Sequence, residues 1–158
     1  MPVLDHDRVR DFADTLRRTG RRVVLTHGVY DLLHPGHIRY LQAARDQGDA
    51  LIVAVNSDRS ARGVAGRSRP VTPAEERAEI VAALDSVDAA VIFDDSTPDA
   101  LIALIQPDTL VEGAGWPADE AVGPAPVDAP SLHVVSIPVE PDWSTSAIID
   151  AIQRNSKP

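Results

Sequence analysis

The sequence contains no cysteine among its 158 residues, and this absence excludes disulfide frameworks and thiolate metal sites. No apolar run approaches the roughly 20 residues that a membrane-spanning helix needs. The first residues, MPVLDHDRVRDF, carry several charges from Asp5 onward and do not resemble a signal peptide. We therefore expect a soluble cytoplasmic protein that makes no membrane contact. Its length favours a single domain over residues 1–158, with one buried core.

Positive charge is also scarce, and it is unevenly placed. The net charge of -9 argues against nucleic acid as a partner, because binding to a phosphate backbone needs a broad basic face. One stretch, residues 59–77, is nevertheless rich in arginine, and guanidinium groups pair with phosphate in a fork geometry. A solvated surface loop explains the same composition equally well. The arginines of this stretch are Arg59, Arg62, Arg67, Arg69 and Arg77.

Apolar runs alternate with amphipathic stretches along the chain. The runs predict five strands, over residues 23–27, 50–56, 89–93, 109–113 and 132–139. The amphipathic stretches predict helices over residues 5–20, 35–48, 73–86, 97–106 and 144–155, the first of them an N-terminal helix within residues 1–20. Residues 114–130 are rich in proline and predict a loop. This order predicts an α/β fold: a Rossmann-like, doubly wound sheet of about five parallel strands with helices on both faces.

The segment GVYDLLHPGHIRYL, residues 28–41, follows the first predicted strand, where doubly wound folds usually hold phosphate. The chain has neither GxGxxG nor GK[ST] here, so no dinucleotide fingerprint or P-loop is present. Instead Pro35 opens a helix, Gly36 allows close backbone approach, and His34 and His37 flank them. A helix N-terminus with free amides is an anion site. A chance arrangement or a fragment of a metal site remains an alternative, but no third ligand stands at metal spacing, so we predict no metal site here.

Four ordered blocks carry a family resemblance that covers roughly residues 20–153. They are THGVYDLLHPGHIRYLQAARDQGDALIVAVNSD, RPVTPAEERAEIVAALDSVDAAVIF, PDTLVEG and STSAII. The first block resembles the signature of the HxGH nucleotidylyltransferases, within the cytidylyltransferase-like family. Together the blocks resemble its sugar-phosphate branch, typified by the D-glycero-D-manno-heptose 1-phosphate adenylyltransferases. The glycerol-3-phosphate cytidylyltransferases are more distant relatives.

The resemblance implies an enzyme whose acceptor phosphate attacks the α-phosphorus of a nucleoside triphosphate in line, with release of pyrophosphate. Such a reaction needs positioning and positive charge more than a protein nucleophile. The implied donor is ATP or CTP, and the implied acceptor is a phosphorylated sugar or polyol, in first place a heptose 1-phosphate. The resemblance also implies Mg²⁺, bound mainly through the triphosphate, and a homodimer. A glycerol phosphate cytidylyltransferase and a non-catalytic nucleotide-binding module remain alternatives.

The same resemblance assigns residues to roles. The implied catalytic residues are His34, His37 and Arg69. The implied nucleotide-binding residues are Thr26, His27, Gly28, Val29, Tyr30, Asp31, His34, Gly36, His37, Asn56, Asp58, Glu112, Gly113, Trp143, Ser144, Thr145 and Ser146. The implied acceptor-binding residues are Arg62, Arg67, Arg77 and Trp116. Simpler interpretations exist: residues 144–146 as an ordinary helix cap, Arg77 as the partner of a nearby glutamate, and Asn56 with Asp58 as residues that orient a loop.

Three positions depart from the heptose branch. Residues 26–28 read Thr-His-Gly where that branch usually has Thr-Asn-Gly, so His27 adds a third imidazole. Ala65 and Glu112 stand where the branch commonly has lysines. A carboxylate repels a phosphate, so Glu112 predicts weak activity on heptose 1-phosphate. It favours an acceptor that offers a hydroxyl or amine to Glu112, with Trp116 as an apolar wall.

Overall fold

The computed structural model describes residues 2–114 and 131–157. The strands are β1 Val3–Leu4, β2 Val23–Gly28, β3 Ala50–Asn56, β4 Ala89–Phe93, β5 Thr109–Ala114 and β6 His133–Pro138. The helices are α1 His6–Arg18, α2 Pro35–Arg45, α3 Asp58–Ala65, α4 Ala74–Ala82, α5 Asp99–Ile105 and α6 Thr145–Asn155. Within these residues, no helix is both long and apolar enough to cross a bilayer.

All six strands are parallel and form one sheet in the order β1-β4-β3-β2-β5-β6. The chain moves from β2 through β3 to β4 on one side and then crosses to β5 and β6 on the other. The strand order therefore reverses between β2 and β5, and the carboxyl ends of these two strands border a crevice. The predicted fold class and its five strands are confirmed.

Helices cover both faces of the sheet, as predicted. One face packs against α1 and α5, with Leu16 and Ile105 in its core. The opposite face packs against α2 and α4, with Leu41 and Val81 in its core. Every residue of β3 is buried, because this strand lies in the middle of a sheet covered on both sides. The continuous apolar run ALIVAVN reflects that position.

The structure differs from the sequence-based prediction in two elements. Strand β1 was not predicted, because two residues are too few to show a periodic pattern; Val3 pairs with Ala90 of β4. Helix α3 was not predicted; the arginine-rich stretch that overlaps it, residues 59–77, was interpreted either as an anion site or as a solvated surface loop. Its N-terminus is capped by the Ser57 hydroxyl, which accepts a hydrogen bond of 3.1 Å from the backbone N–H of Ser60. The proline-rich loop predicted for residues 114–130 lies outside the described residues, apart from Ala114 at the end of β5.

Candidate active site

The turn between β2 and α2 has an unusual backbone. Tyr30 and Leu32 have φ angles of 52° and 48°, in the left-handed region that L-residues rarely adopt. The Tyr30 side chain folds back over Gly28, where an added Cβ would lie 3.0 Å from the ring. Backbone strain of this kind is concentrated at functional sites, because the surrounding contacts must hold it in place. The turn is thus a fixed cradle.

Asp31 holds this turn to two other segments. Its carboxylate is 1% exposed and accepts hydrogen bonds from Arg69 Nε at 3.1 Å and from the backbone N–H groups of Val71 and Thr72 at 2.8 and 3.0 Å. Its backbone carbonyl accepts a hydrogen bond of 2.7 Å from the Thr145 hydroxyl. The resemblance implied that Asp31 binds nucleotide. The geometry instead gives its side chain a positioning role, because the carboxylate holds Arg69 and the loop 69–72 beside the turn.

Two helix N-termini converge at the turn. Helix α2 begins at Pro35 and α6 at Thr145, whose hydroxyl bonds to the turn. A Cβ on Gly36 would lie 2.9 Å from the Cβ of Trp143 and 3.0 Å from the His34 ring, so a side chain does not fit at this position. The free amides and the positive dipole ends of both helices therefore face one region. This arrangement favours an anion with several charged groups, such as a triphosphate.

His34 and His37 stack against each other beside these amides. Their ring centroids lie 3.8 Å apart with an interplanar angle of 23°, and each residue is 3% exposed. Burial lowers the pKa of both, and for His37 burial, followed by the neighbouring His34, lowers the pKa to about 3. Both rings are therefore neutral at neutral pH. Neither nitrogen of His34 has a hydrogen-bonding partner in residues 2–114 and 131–157, so the ring can bond to a ligand.

The hydroxyl groups near the turn have mainly structural partners. Ser144 caps α6, because its hydroxyl accepts a hydrogen bond of 3.0 Å from the backbone N–H of Ala147. Thr145 is 1% exposed and bonds to the turn, and Ser146 is half-buried in the first helical turn. The Thr26 hydroxyl lies 2.8 Å from the Tyr40 hydroxyl and donates to the carbonyl of Val111 at 2.9 Å. Thr26 was assigned to the nucleotide, but its side chain links β2, α2 and β5.

The guanidinium of Arg77 is buried and bonded to the protein. Its side chain is 1% exposed, and its Nε donates to the Thr72 carbonyl at 2.8 Å. Its Nη2 donates to the Asn56 carbonyl and to the Asp58 carboxylate, each at 2.8 Å, and its Nη1 donates to the Val29 carbonyl. The implied acceptor contact therefore does not fit this geometry. Arg77 instead holds the ends of β2 and β3 together, and its carboxylate partner is Asp58 rather than a glutamate.

The other implied acceptor residues differ in accessibility. Arg62 and Arg67 are exposed, and neither forms an ion pair within residues 2–114 and 131–157, so both are available to an anion. By contrast, Arg69, which the resemblance implied to be catalytic, is 7% exposed and is oriented by Asp31. Trp116 lies outside the residues that the structure describes.

Residues 25–151 match the cytidylyltransferase-like family. The chain belongs to this family. It is 44% identical over 155 residues to the proteins named "Bifunctional protein HldE" of Salmonella typhimurium strain LT2 and Salmonella newport strain SL254. The alignment covers 98% of this chain but 32% of those proteins, so the chain spans about a third of the length of the curated relatives it matches.

A solved structure supports the same assignment. The lipopolysaccharide core biosynthesis protein from Thermoplasma volcanium GSS1 superposes with a TM-score of 0.60 and 25% sequence identity, over 77% of this chain and 98% of that one. The predicted family, and with it the predicted class of nucleotidyltransferase enzyme, is confirmed. Many of the residues assigned to nucleotide lie at the carboxyl ends of strands or at the N-termini of α2 and α6, and open α/β sheets bind ligands at the carboxyl ends of their strands. The assignments themselves remain predictions.

Two implied residues of this cytidylyltransferase-like domain lie near the carboxyl ends of their strands, on the face of the sheet opposite α2. His27 occupies the penultimate position of β2, and Glu112 is half-buried on β5. Thr26 and Val111 are the last pair of the β2–β5 ladder, so His27 and Glu112 are the residues just beyond it. Gly113 follows, also half-buried.

Two sets of hydrogen-bonding groups at the site could not be predicted from the sequence. The backbone amides of Val71 and Thr72 bind Asp31, and the Tyr40 hydroxyl bonds to Thr26. Backbone amides carry no side-chain signal. Tyr40 lies within the predicted helix over residues 35–48, but nothing in the sequence pointed to a partner for its hydroxyl. Only the packing of α2 against β2 and β5 supplies that partner.

Proposed function

We propose that this chain transfers a nucleoside monophosphate from ATP to the phosphate of a phosphorylated sugar, in first place a heptose 1-phosphate, and releases pyrophosphate. The observation that carries the proposal is the convergence of two helix N-termini and two stacked imidazoles on one strained turn. Membership of the cytidylyltransferase-like family and 44% identity to the HldE proteins support it. So does the likeness to a lipopolysaccharide core biosynthesis protein, since that pathway assembles carbohydrate.

The triphosphate lies over the turn in this proposal. The amides of α2 and α6 hold its phosphates, and His34 and His37 donate hydrogen bonds to oxygens whose charge grows as the bond to pyrophosphate breaks. A phosphate monoester is largely a dianion at neutral pH. The acceptor therefore brings its own nucleophilic oxygen, and no protein base has to remove a proton. Asp31 fixes the direction of the Arg69 guanidinium, which adds positive charge at the same place.

Magnesium belongs to this proposal as part of the substrate. No group of three or more His, Asp or Glu side chains within residues 2–114 and 131–157 is placed to hold a metal ion. Both carboxylate oxygens of Asp31 already accept hydrogen bonds from the protein. A metal site built from these side chains does not fit, whereas a magnesium–triphosphate complex needs none. We further propose that the protein is cytoplasmic and forms a homodimer.

One observation favours a second candidate, a nucleotide-binding module without catalysis. Ala65 and Glu112 replace two positions that are commonly lysine in the branch that the sequence resembles, and Glu112 is half-buried on β5. Loss of two cations weakens the attraction for an acceptor phosphate while the cradle stays intact. Such a module would bind the triphosphate and release no pyrophosphate.

A matrix of donors and acceptors separates the two candidates. Pyrophosphate release is measured with ATP, CTP, GTP and UTP, each combined with heptose 1-phosphate, glucose 1-phosphate and glycerol 3-phosphate. The expected result is release with ATP and a sugar 1-phosphate, with the nucleotide sugar identified by mass spectrometry. Pyrophosphate release only with CTP and glycerol 3-phosphate would show that these are the substrates and would contradict the proposed ATP and heptose 1-phosphate. Triphosphate binding by calorimetry without release in any combination identifies the binding module.

A further inference from the structure

His27 points to the face of the sheet that α2 does not cover. The Thr26 hydroxyl bonds to Tyr40 of α2, and successive side chains of a strand alternate between faces. The His27 side chain therefore lies on the α1 and α5 side, where its ring meets Phe93 edge-on with centroids 6.4 Å apart. His27 directly precedes Gly28, the first residue of the cradle. Its ring is thus buried near the carboxyl end of β2, beside the proposed phosphate site but on the other face of the sheet.

Asn56 lies close to His27 on this face. His27 pairs with Ala54 in the β2–β3 ladder, and Asn56 follows two residues later, so its side chain shares the face and is a diagonal neighbour at roughly 7–8 Å. Asn56 in turn pairs with Phe93 of β4. Asp99, the first residue of α5, is near enough for its charge to raise the pKa of His27 against the larger lowering by burial. His27, Asn56, Phe93 and Asp99 form what we call the α5-side cluster.

Several polar atoms of this cluster are buried without a partner. Both ring nitrogens of His27, Oδ1 of Asn56 and Oδ1 of Asp99 make no hydrogen bond within residues 2–114 and 131–157. Asn56 is 0% exposed, and its Nδ2 donates to the Ser60 hydroxyl at 2.8 Å, which fixes the orientation of the free oxygen. Buried polar atoms are almost always hydrogen-bonded in native proteins. Four unpaired atoms at one end of the sheet, beside a ligand crevice, indicate a bound group that satisfies them.

The chemistry of these atoms selects hydroxyl groups. Burial lowers the pKa of His27 to about 4, so the neutral ring offers one donor and one acceptor at neutral pH. Asn56 Oδ1 and Asp99 Oδ1 are acceptors. A set of acceptors with one donor and no cation repels phosphate and suits the O–H groups of a polyol, which donate and accept together.

We propose that the α5-side cluster binds the hydroxyl groups of the acceptor sugar, and that His27 determines which sugar is accepted. This inference rests on the proposed function. The acceptor phosphate lies over the cradle, and the sugar attached to it extends past Gly28 to the imidazole. A site built to bond a hydroxyl rejects the analogue that lacks it, because the buried groups then stay unpaired. The cluster therefore affects binding of the acceptor and does not affect binding of the triphosphate.

Steady-state kinetics with two His27 variants test this assignment. His27→Phe keeps a ring but removes both polar atoms, and His27→Gln keeps one donor and one acceptor. We expect His27→Phe to raise the KM for heptose 1-phosphate at least tenfold and to change the KM for ATP less than twofold. His27→Gln should recover part of the loss. His133→Phe, on the exposed strand β6, is the matched control and should behave as wild type. Thermal melting confirms that each variant is folded.

Acceptor analogues that each lack one hydroxyl group provide a second test of the role of His27. Wild type should lose at least a hundredfold in kcat/KM on one monodeoxy heptose 1-phosphate, and His27→Phe should not distinguish that analogue from the parent sugar. Equal acceptor KM values in wild type and folded His27→Phe would overturn the inference and leave the proposed function intact. If wild type releases no pyrophosphate, calorimetry with a non-hydrolysable ATP analogue and heptose 1-phosphate decides. If heptose 1-phosphate binds to wild type but not to His27→Phe, the result supports acceptor binding by the α5-side cluster. If it does not bind to wild type, the result contradicts both proposals.

Discussion

The carboxylate of Asp31 and the guanidinium of Arg69 form a buried ion pair, with Oδ2 3.1 Å from Nε and side-chain exposures of 1% and 7%. Desolvation makes such a pair costly unless further hydrogen bonds satisfy the charge. The amides of Val71 and Thr72 supply them. The pair joins two segments 38 residues apart in sequence. Its main effect is thus to hold Arg69 in one orientation beside the cradle.

Removal of the Asp31 charge should cost both stability and activity. In Asp31→Asn, the buried Arg69 keeps its charge without a carboxylate, and one of the two loop amides loses its acceptor. We expect the free energy of unfolding to fall by about 3 kcal/mol, and turnover to fall as Arg69 loses its orientation. Urea denaturation measures the first effect. The control is Asp94→Asn in the exposed pair with Arg59, which should cost far less than Asp31→Asn, because water screens that pair. Equal losses in both variants would contradict the role given to Asp31.

Arg77 should behave as a structural residue. Arg77→Gln leaves the Asp58 carboxylate and three backbone carbonyls without their donor, and we expect a loss of about 3 to 5 kcal/mol in the free energy of unfolding. Arg67→Gln, at an exposed position, should change stability by less than about 0.5 kcal/mol. Denaturation and acceptor KM are measured together. A stable Arg77→Gln with a raised acceptor KM would restore the acceptor role that the family resemblance implied.

Buried imidazoles should make the fold sensitive to acid. Burial lowers the pKa of His27 to about 4 and that of His37 to about 3, against 6.5 for an ordinary histidine. Between about pH 6.5 and pH 4 the unfolded chain therefore binds protons that the folded chain does not. The contribution of these neutral histidines to the free energy of unfolding is therefore fully present above about pH 6.5 and is lost as the pH falls.

Denaturation at pH 7 and pH 4.5 measures this effect. We expect His27 alone to account for about 2 kcal/mol of the loss between these pH values. In His27→Gln the loss should be smaller by that amount, because glutamine does not titrate. Carboxylates elsewhere titrate equally in both proteins, so the difference isolates the histidine. Identical losses in wild type and variant would show that His27 is not shielded from protons.

Glu112 tests whether the departure from the heptose branch changes the acceptor. If its carboxylate repels the acceptor phosphate, Glu112→Lys should raise kcat/KM for heptose 1-phosphate and ATP by tenfold or more, equivalent to about 1.4 kcal/mol. Wild type should then prefer an acceptor that donates a hydrogen bond to Glu112. Efficient use of heptose 1-phosphate by wild type, with a less active lysine variant, would mean that the substitution does not affect recognition.

Hydrophobic periodicity was sufficient to predict five strands, five helices and the position of the cradle. Each of those elements is long enough to show its period, and the turn carries recognisable residues such as Pro35 and Gly36. Strand β1 is too short to show a pattern. Helix α3 was obscured because its arginines suggested a loop, although Ser57 is an ordinary N-cap residue.

The roles of individual polar residues were less predictable. The sequence gives the chemical type of Asp31, Arg77 and Thr26, but their partners come from distant segments that only the folded sheet brings together. Arg77, for example, bonds to Val29, 48 residues away, and to Asn56, 21 residues away. Such residues occur in the motifs that mark a ligand site because they hold that site together. A pattern cannot separate this structural role from contact with the ligand.

The central claim is that the cradle with His34 and His37 carries out nucleotidyl transfer to a sugar phosphate. The most direct measurement follows pyrophosphate and nucleotide sugar together, from ATP and heptose 1-phosphate, with wild type, His37→Ala and His133→Ala. Wild type should form the two products in equal amounts. His37→Ala should be slower by about a hundredfold or more while remaining folded, since it lacks one donor to the transition state, and His133→Ala should match wild type. Absence of the nucleotide sugar with every acceptor, or unchanged turnover in His37→Ala, would contradict the account.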